Sequence, residues 1–157
     1  MVNFVKQNTG MKHKLFTALI FFFMFNAAVA QNTVTVFLNG VKKGEYITKT
    51  DEAAGGGASL KKNDCKKLKQ LSIQIKGEHI GMVVYKRTME VTDNAGLSFL
   101  NVPETAGTPG KFILTGTKLK SLLTKGKPIK LYLLMDPADD RSLIPSKRIY
   151  MGTITAK

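Results

Sequence analysis

Beyond residue 30 the chain is a series of short runs in which apolar and polar side chains alternate. The runs at 33–38 (TVTVFL), 71–75 (LSIQI) and 148–156 (RIYMGTITA) are rich in β-branched residues, as is typical of strands with one buried face. Further short runs that favour extended structure lie at 45–48, 80–85, 88–92, 97–102, 112–114 and 128–135. The pattern predicts about eight short strands.

Turn and helix signals separate these runs. Asn39-Gly40 is the strongest short hairpin signal, because a type I′ turn requires positive φ at both central residues. Residues 51–59 (DEAAGGGAS) lack periodicity and predict a flexible loop. Residues 117–123 place three leucines on one face of a short helix that Gly126 would end.

Strands without regular intervening helices argue against repeated βαβ units. We therefore expect an all-β fold, a single antiparallel, immunoglobulin-like β-sandwich over residues 31–157 with one short helix. A domain of this length can bury an ordinary core without a metal or a disulfide.

The first 30 residues have the three parts of a secretory leader. A basic start at 12–14 precedes an apolar run at 15–25, and Ala28-Val29-Ala30 matches the A-x-A cleavage pattern. A membrane-spanning helix would need about 20 apolar residues, which this run does not reach. We predict a signal peptide that is cleaved after Ala30 and delivers a periplasmic or extracellular protein. Met11 opens the same pattern and is an alternative start.

The chain is strongly basic, with 24 Lys+Arg against 11 Asp+Glu. The leader holds three lysines and no acid, so the remainder keeps a net charge of +10. The densest basic segment is residues 60–69 (LKKNDCKKLK). Its five lysines are the candidate anion-binding residues: Lys61, Lys62, Lys66, Lys67 and Lys69.

Two interpretations of this lysine cluster stay open. It can bind a polyanion such as an acidic polysaccharide or lipid phosphate, or it can be a solvated loop that keeps the protein soluble. Aromatic residues are not interleaved with the lysines and arginine is scarce, so specific nucleic-acid recognition is not expected. The remaining lysines are spread over the chain, which favours the solvated loop; six of them are Lys111, Lys118, Lys120, Lys125, Lys127 and Lys130.

Candidate catalytic chemistry is sparse. His79 is the only histidine after the leader, so a second imidazole for a metal site is missing. A small secreted hydrolase centred on His79 is the weakest of the functional hypotheses, and we expect neither an enzyme nor a cofactor. Cys65 is either a buried thiol or an intermolecular pairing point. Its neighbours Asp64 and Lys66 suggest an exposed loop, where nearby lysines would lower its pKa, but an unreactive thiol is the favoured interpretation.

The part of the chain from Leu71 onward resembles a known family. A strand pair precedes a short helix with the pattern L…L…G, a strand, an Asp-Pro turn and a last strand. The positions that carry this pattern are Phe112, Leu119, Leu122, Gly126, Ile129, Asp136-Pro137, Ile149 and Ile154. The layout is similar to the C-terminal β-sandwich domains of the gliding-motility and type IX secretion shaft protein of Bacteroidetes. This resemblance implies a secreted β-sandwich used for protein contacts, and it transfers no functional residues.

Together these observations predict an exported β-sandwich that acts as a binding module for another protein or a cell-envelope component. Polyanion binding through the lysine cluster is the alternative. The part of the chain after the leader is expected to contain no transmembrane span.

Overall fold

The computed structural model describes residues 31–48, 55–77, 85–139, 141 and 143–157. The predicted leader at 1–30, His79 and most of the run at 80–85 lie outside the described residues. The described residues all belong to one compact unit, Gln31–Lys157.

Nine strands and two short helices make up the described part of the chain. In chain order they are β1 (Thr33–Leu38), β2 (Val41–Ile47), β3 (Gly57–Leu60), α1 (Lys62–Lys66), β4 (Leu71–Lys76), β5 (Tyr85–Asp93), β6 (Ser98–Pro103), β7 (Lys111–Leu114), α2 (Thr117–Thr124), β8 (Ile129–Pro137) and β9 (Lys147–Ala156). They form a four-stranded sheet in the order β2-β1-β4-β7 and a five-stranded sheet in the order β3-β9-β8-β5-β6. The predicted all-β sandwich is confirmed.

The alternating pattern explains which face of each strand is buried. Val34, Val36 and Leu38 of β1 are all buried, whereas Thr33 and Phe37 on the other face of the strand retain partial exposure. Leu131 and Leu133 repeat this spacing on β8, where the neighbouring Leu134 is only half-buried. The apolar side chains of both sheets meet in one hydrophobic core, as expected for two sheets packed face to face.

The hairpin prediction is confirmed. Asn39 and Gly40 have φ values of 51° and 84°, and they join β1 to β2 in an antiparallel pair. The loop prediction for 51–59 is partly wrong, because Gly57–Leu60 forms β3. This strand pairs in parallel with β9, with Ala58 opposite Ile154, and is the exception to an otherwise antiparallel sandwich.

Both helices lie at the same end of the sandwich. Residues 61–70, which contain α1, connect β3 of one sheet to β4 of the other, and we call them the first crossover. Residues 115–128, which contain α2, connect β7 back to β8, and we call them the second crossover. In the four-stranded sheet Leu71, the first residue of β4, pairs with Leu114, the last residue of β7. The first crossover therefore ends next to the point where the second crossover begins. We call this end of the sandwich the helical end.

Candidate functional site

The first crossover exposes its lysines because two apolar side chains anchor it. Cys65 and Leu68 are buried in the core, whereas all five lysines of the predicted cluster are exposed. The Lys62 backbone N–H donates to the carbonyl of Lys157, at 2.8 Å, and so fixes the start of α1 beside the end of β9. The predicted candidate residues therefore share one solvent-facing surface.

Asn39 fastens this crossover to the β1–β2 hairpin. Its Nδ2 donates to the Lys67 carbonyl at 2.9 Å. Its Oδ1 accepts from the backbone N–H groups of Lys69 and Gln70, at 2.9 and 3.1 Å. Three hydrogen bonds from one side chain hold the lysine-bearing backbone in a single position.

The second crossover has the same design. Leu119 and Leu123 of α2 are buried, and they leave every lysine of this crossover exposed. The helix ends at Gly126, where φ is 73° and the Lys127 N–H donates to the Leu122 carbonyl at 2.9 Å. This is the glycine-terminated helix end that the sequence predicts. The exposed lysines are Lys118, Lys120, Lys125 and Lys127.

The two crossovers lie against each other and form one charged surface. A Cβ added at Gly126 would lie 3.1 Å from both Cε and Nζ of Lys62, so the Lys62 side chain reaches the second crossover. Together the crossovers carry nine lysines and one acid, Asp64. Among the described residues none of the nine lysines forms an ion pair.

The single acid of this surface is already neutralised. Lys43 at the start of β2 donates to Asp64 Oδ2, with an Nζ–Oδ2 distance of 2.8 Å. This hydrogen bond is the main reason why the pKa of Asp64 is lowered, and the positive charges of Lys61 and Lys67 act in the same direction. Asp64 therefore stays ionised and paired with Lys43, which lies outside the crossovers, so the nine lysines keep their excess positive charge.

The acids among the described residues include several at the opposite end of the sandwich. Glu104 follows β6, Asp136 lies opposite Lys86 near the start of β5, and Asp139 follows β8. Lys86, Lys111 and Lys147 lie among these acids, so positive charge is denser and less balanced at the helical end. Such an asymmetric distribution orients a protein as it approaches a charged partner.

A groove opens beside the lysines. Its volume is about 430 Å³. Its lining residues come from the turn after β5 and from the second crossover: Asp93, Asn94, Ala95, Leu122, Lys127 and Pro128. A volume of this size falls within the usual range for small-molecule sites.

The exposed-loop prediction for Cys65 is wrong, and the alternative of a buried thiol is confirmed. The residue lies in α1 with its side chain in the core, because it occupies the inward-facing position between exposed lysines. Burial raises the pKa of the thiol, and the negative charge of Asp64 adds to that effect, whereas Lys43 opposes it. Cys65 is an anchor of the first crossover and belongs to the core.

Sequence reasoning missed the contribution of the second crossover. The lysines at 118–127 appear in the sequence as part of a general excess of positive charge. The fold gathers four of them beside the predicted cluster, whereas Lys111 begins β7, away from this end. The connections between the strands carry the relevant signal. Each lysine-rich segment follows a strand of one sheet and precedes a strand of the other, so both segments cross between the sheets.

The described residues give no further support to catalytic chemistry. They contain no group of three or more histidine, cysteine or acidic side chains that could hold a metal. His79, the centre of the hydrolase hypothesis, lies outside them. Within the same residues, no helix is both long enough and apolar enough to cross a membrane.

The known proteins provide no relative to guide the assignment. Comparison of the chain with protein-family models, with curated proteins and with solved structures found no match.

Proposed function

We propose that the protein is an exported binding module that holds a polyanionic component of the cell envelope at its helical end. The secretory leader motivates the location. The observation that carries the binding function is the single surface formed by the two crossovers, where nine exposed lysines face solvent around one neutralised acid. This proposal narrows the sequence-based expectation of an envelope-binding module to a partner with negative charge.

The physical basis is the cost of concentrating like charges. Nine ammonium groups on two adjacent segments repel one another, and a polyanion relieves that repulsion when it binds. A polyanion also releases its own counterions when lysines replace them, so its affinity depends strongly on salt. Lysine supplies compact, hydrated charges and lacks the planar guanidinium with which arginine binds a single carboxylate or phosphate. A lysine-rich surface therefore suits a partner that is recognised by its density of negative charge.

The experiment measures binding to alginate, a soluble acidic polysaccharide, over a range of salt concentrations by fluorescence anisotropy. One variant changes the five lysines of the first crossover to Gln: Lys61, Lys62, Lys66, Lys67 and Lys69. A matched control loses five positive charges elsewhere: Lys76, Lys86, Lys111, Arg141 and Lys147, each changed to Gln.

We expect the affinity of the natural protein to fall steeply as salt rises. The first-crossover variant should bind on the order of tenfold more weakly or worse, and the control should lose far less. Equal losses in the two variants would show that only net charge matters, which would contradict a site at the helical end. A complete lack of binding at low salt would contradict the proposed function.

A further inference from the structure

We infer that the polyanion recognised by the helical end is the surface of an anionic lipid bilayer, into which Leu97 inserts while the crossover lysines face the lipid phosphates. This inference rests on the proposed function and names its ligand. It adds two apolar features of the helical end that a soluble polyanion would leave unused.

The first feature is an exposed leucine on a well-fixed turn. Leu97 is 65% exposed and follows β5 at the helical end. Asp93 closes the turn: its N–H donates to the Leu97 carbonyl at 3.1 Å, and its Oδ1 accepts from the N–H groups of Ala95 and Leu97, both at 3.0 Å. The hydrogen-bonded turn therefore keeps the large apolar side chain of Leu97 exposed to solvent.

The second feature is the groove that the same turn helps to form. Leu122 and Pro128 supply apolar walls, and Lys127 supplies a cation that forms no ion pair among the described residues. Asp93 also lines the groove, but its carboxylate accepts the two backbone N–H groups of its own turn. Apolar walls beside a free ammonium suit an amphiphilic anion, whose hydrocarbon and phosphate parts need different surroundings. Phospholipids have this chemistry.

Charge distinguishes a bilayer from other partners of the helical end. Clusters of four to eight Lys or Arg residues bind anionic lipid surfaces through the surface potential, and apolar side chains next to such clusters add hydrophobic insertion. At the opposite end Glu104, Asp136 and Asp139 lie among Lys86, Lys111 and Lys147, whereas the crossovers carry nine lysines and one acid. An anionic surface therefore attracts the helical end more strongly, and a preferred orientation on the bilayer follows.

The experiment compares vesicles with the soluble polymer. The full chain is mixed with vesicles of phosphatidylcholine that contain phosphatidylglycerol, or with vesicles of phosphatidylcholine alone, and bound protein is measured by co-sedimentation. Leu97→Ser removes the inserting side chain. Leu143→Ser is the matched control, because Leu143 is fully exposed on the segment between β8 and β9, at the opposite end.

We expect binding to the phosphatidylglycerol vesicles and none to phosphatidylcholine alone. Leu97→Ser should weaken vesicle binding by about tenfold and leave alginate binding unchanged, and Leu143→Ser should alter neither. Alginate binding without vesicle binding would overturn this inference and leave the proposed function standing. Equal vesicle binding by Leu97→Ser and Leu143→Ser would also overturn it, whereas failure to bind either probe would overturn both proposals.

Discussion

Asn39 shows how one side chain can position a charged surface. Its φ of 51° lies in the left-handed region, which asparagine tolerates better than most residues, and its amide makes three hydrogen bonds to residues 67–70 of the first crossover. The residue therefore serves the hairpin and the lysine surface at once. The Asn-Gly pair predicts the hairpin from sequence, but the bonds to a segment about 30 residues away depend on the fold.

Asn39→Gly tests this role, since glycine keeps the positive φ and removes only the amide. We expect the free energy of unfolding to fall by about 2 kcal/mol because the amide hydrogen bonds are lost. Urea denaturation measures the change. Asn94→Gly is the control, because Asn94 is exposed in a turn, and it should stay within about 0.5 kcal/mol of the natural protein. Similar losses in the two variants would contradict the anchoring role.

Arg87 and Glu104 form the best-shielded ion pair among those described. Arg87 Nε and one guanidinium nitrogen donate to the two oxygens of Glu104, both at 2.9 Å. Burial alone would raise the pKa of Glu104, but the hydrogen bonds from Arg87 and from the Gly110 N–H outweigh it and lower the pKa. The pair of Arg148 and Glu90 provides a comparison, because the Arg148 side chain is half exposed whereas Arg87 is buried.

Glu104→Gln should lower the free energy of unfolding by about 3 kcal/mol near neutral pH, because it removes the carboxylate that accepts two charged hydrogen bonds from the buried Arg87. Glu90→Gln should cost less than Glu104→Gln, because water can reach the half-exposed Arg148 when the carboxylate is lost. The folded pKa of Glu104 lies below the ordinary value of 4.5. Its stabilisation is therefore present above pH 4.5 and is lost as the pH falls through the folded pKa. Urea titrations over this pH range would contradict the account if the Glu104→Gln deficit did not shrink on acidification.

At the scale of elements, strands with regular alternation were predictable and β3 was not. The sequence of β3, GASL, begins with the last of three consecutive glycines and shows no strong alternation. It is extended because β9 offers an edge for parallel pairing. The sequence likewise predicts only the part of the lysine surface that is continuous in the chain. Residues 61–69 form a visible cluster in the chain, but only the sheet order brings residues 118–127 beside them.

Gly57 makes the β3–β9 pairing testable. A Cβ at this position would overlap the carbonyl oxygen of Thr153, so Gly57→Ala should push β3 away from β9 and cost about 1–3 kcal/mol. Urea denaturation gives the loss, and faster amide exchange at Thr153, whose N–H donates to the Gly56 carbonyl at 2.9 Å, locates it. Ser59→Ala changes an exposed side chain of the same strand and should be neutral. Unchanged stability of Gly57→Ala would contradict the parallel pair.

At the scale of the whole molecule, the fold sorts charge by position. Two crossovers that are separate in sequence close the same end of the sandwich, and each buries two apolar side chains while it exposes its lysines. At the opposite end Glu104, Asp136 and Asp139 are mixed with Lys86, Lys111 and Lys147, so no comparable excess of one charge is present there. The central claim is that the two crossovers act as one electrostatic surface.

The most direct test neutralises the crossover that the sequence did not single out. Changing Lys118, Lys120, Lys125 and Lys127 to Gln removes its four charges, and changing Lys76, Lys86, Lys111 and Lys147 to Gln removes four elsewhere. The measurement is the slope of log affinity for alginate against log salt concentration. Since this slope reports how many lysines replace counterions, we predict that the second-crossover variant has a clearly shallower slope than both the control and the natural protein. A slope equal to that of the control would contradict a shared surface.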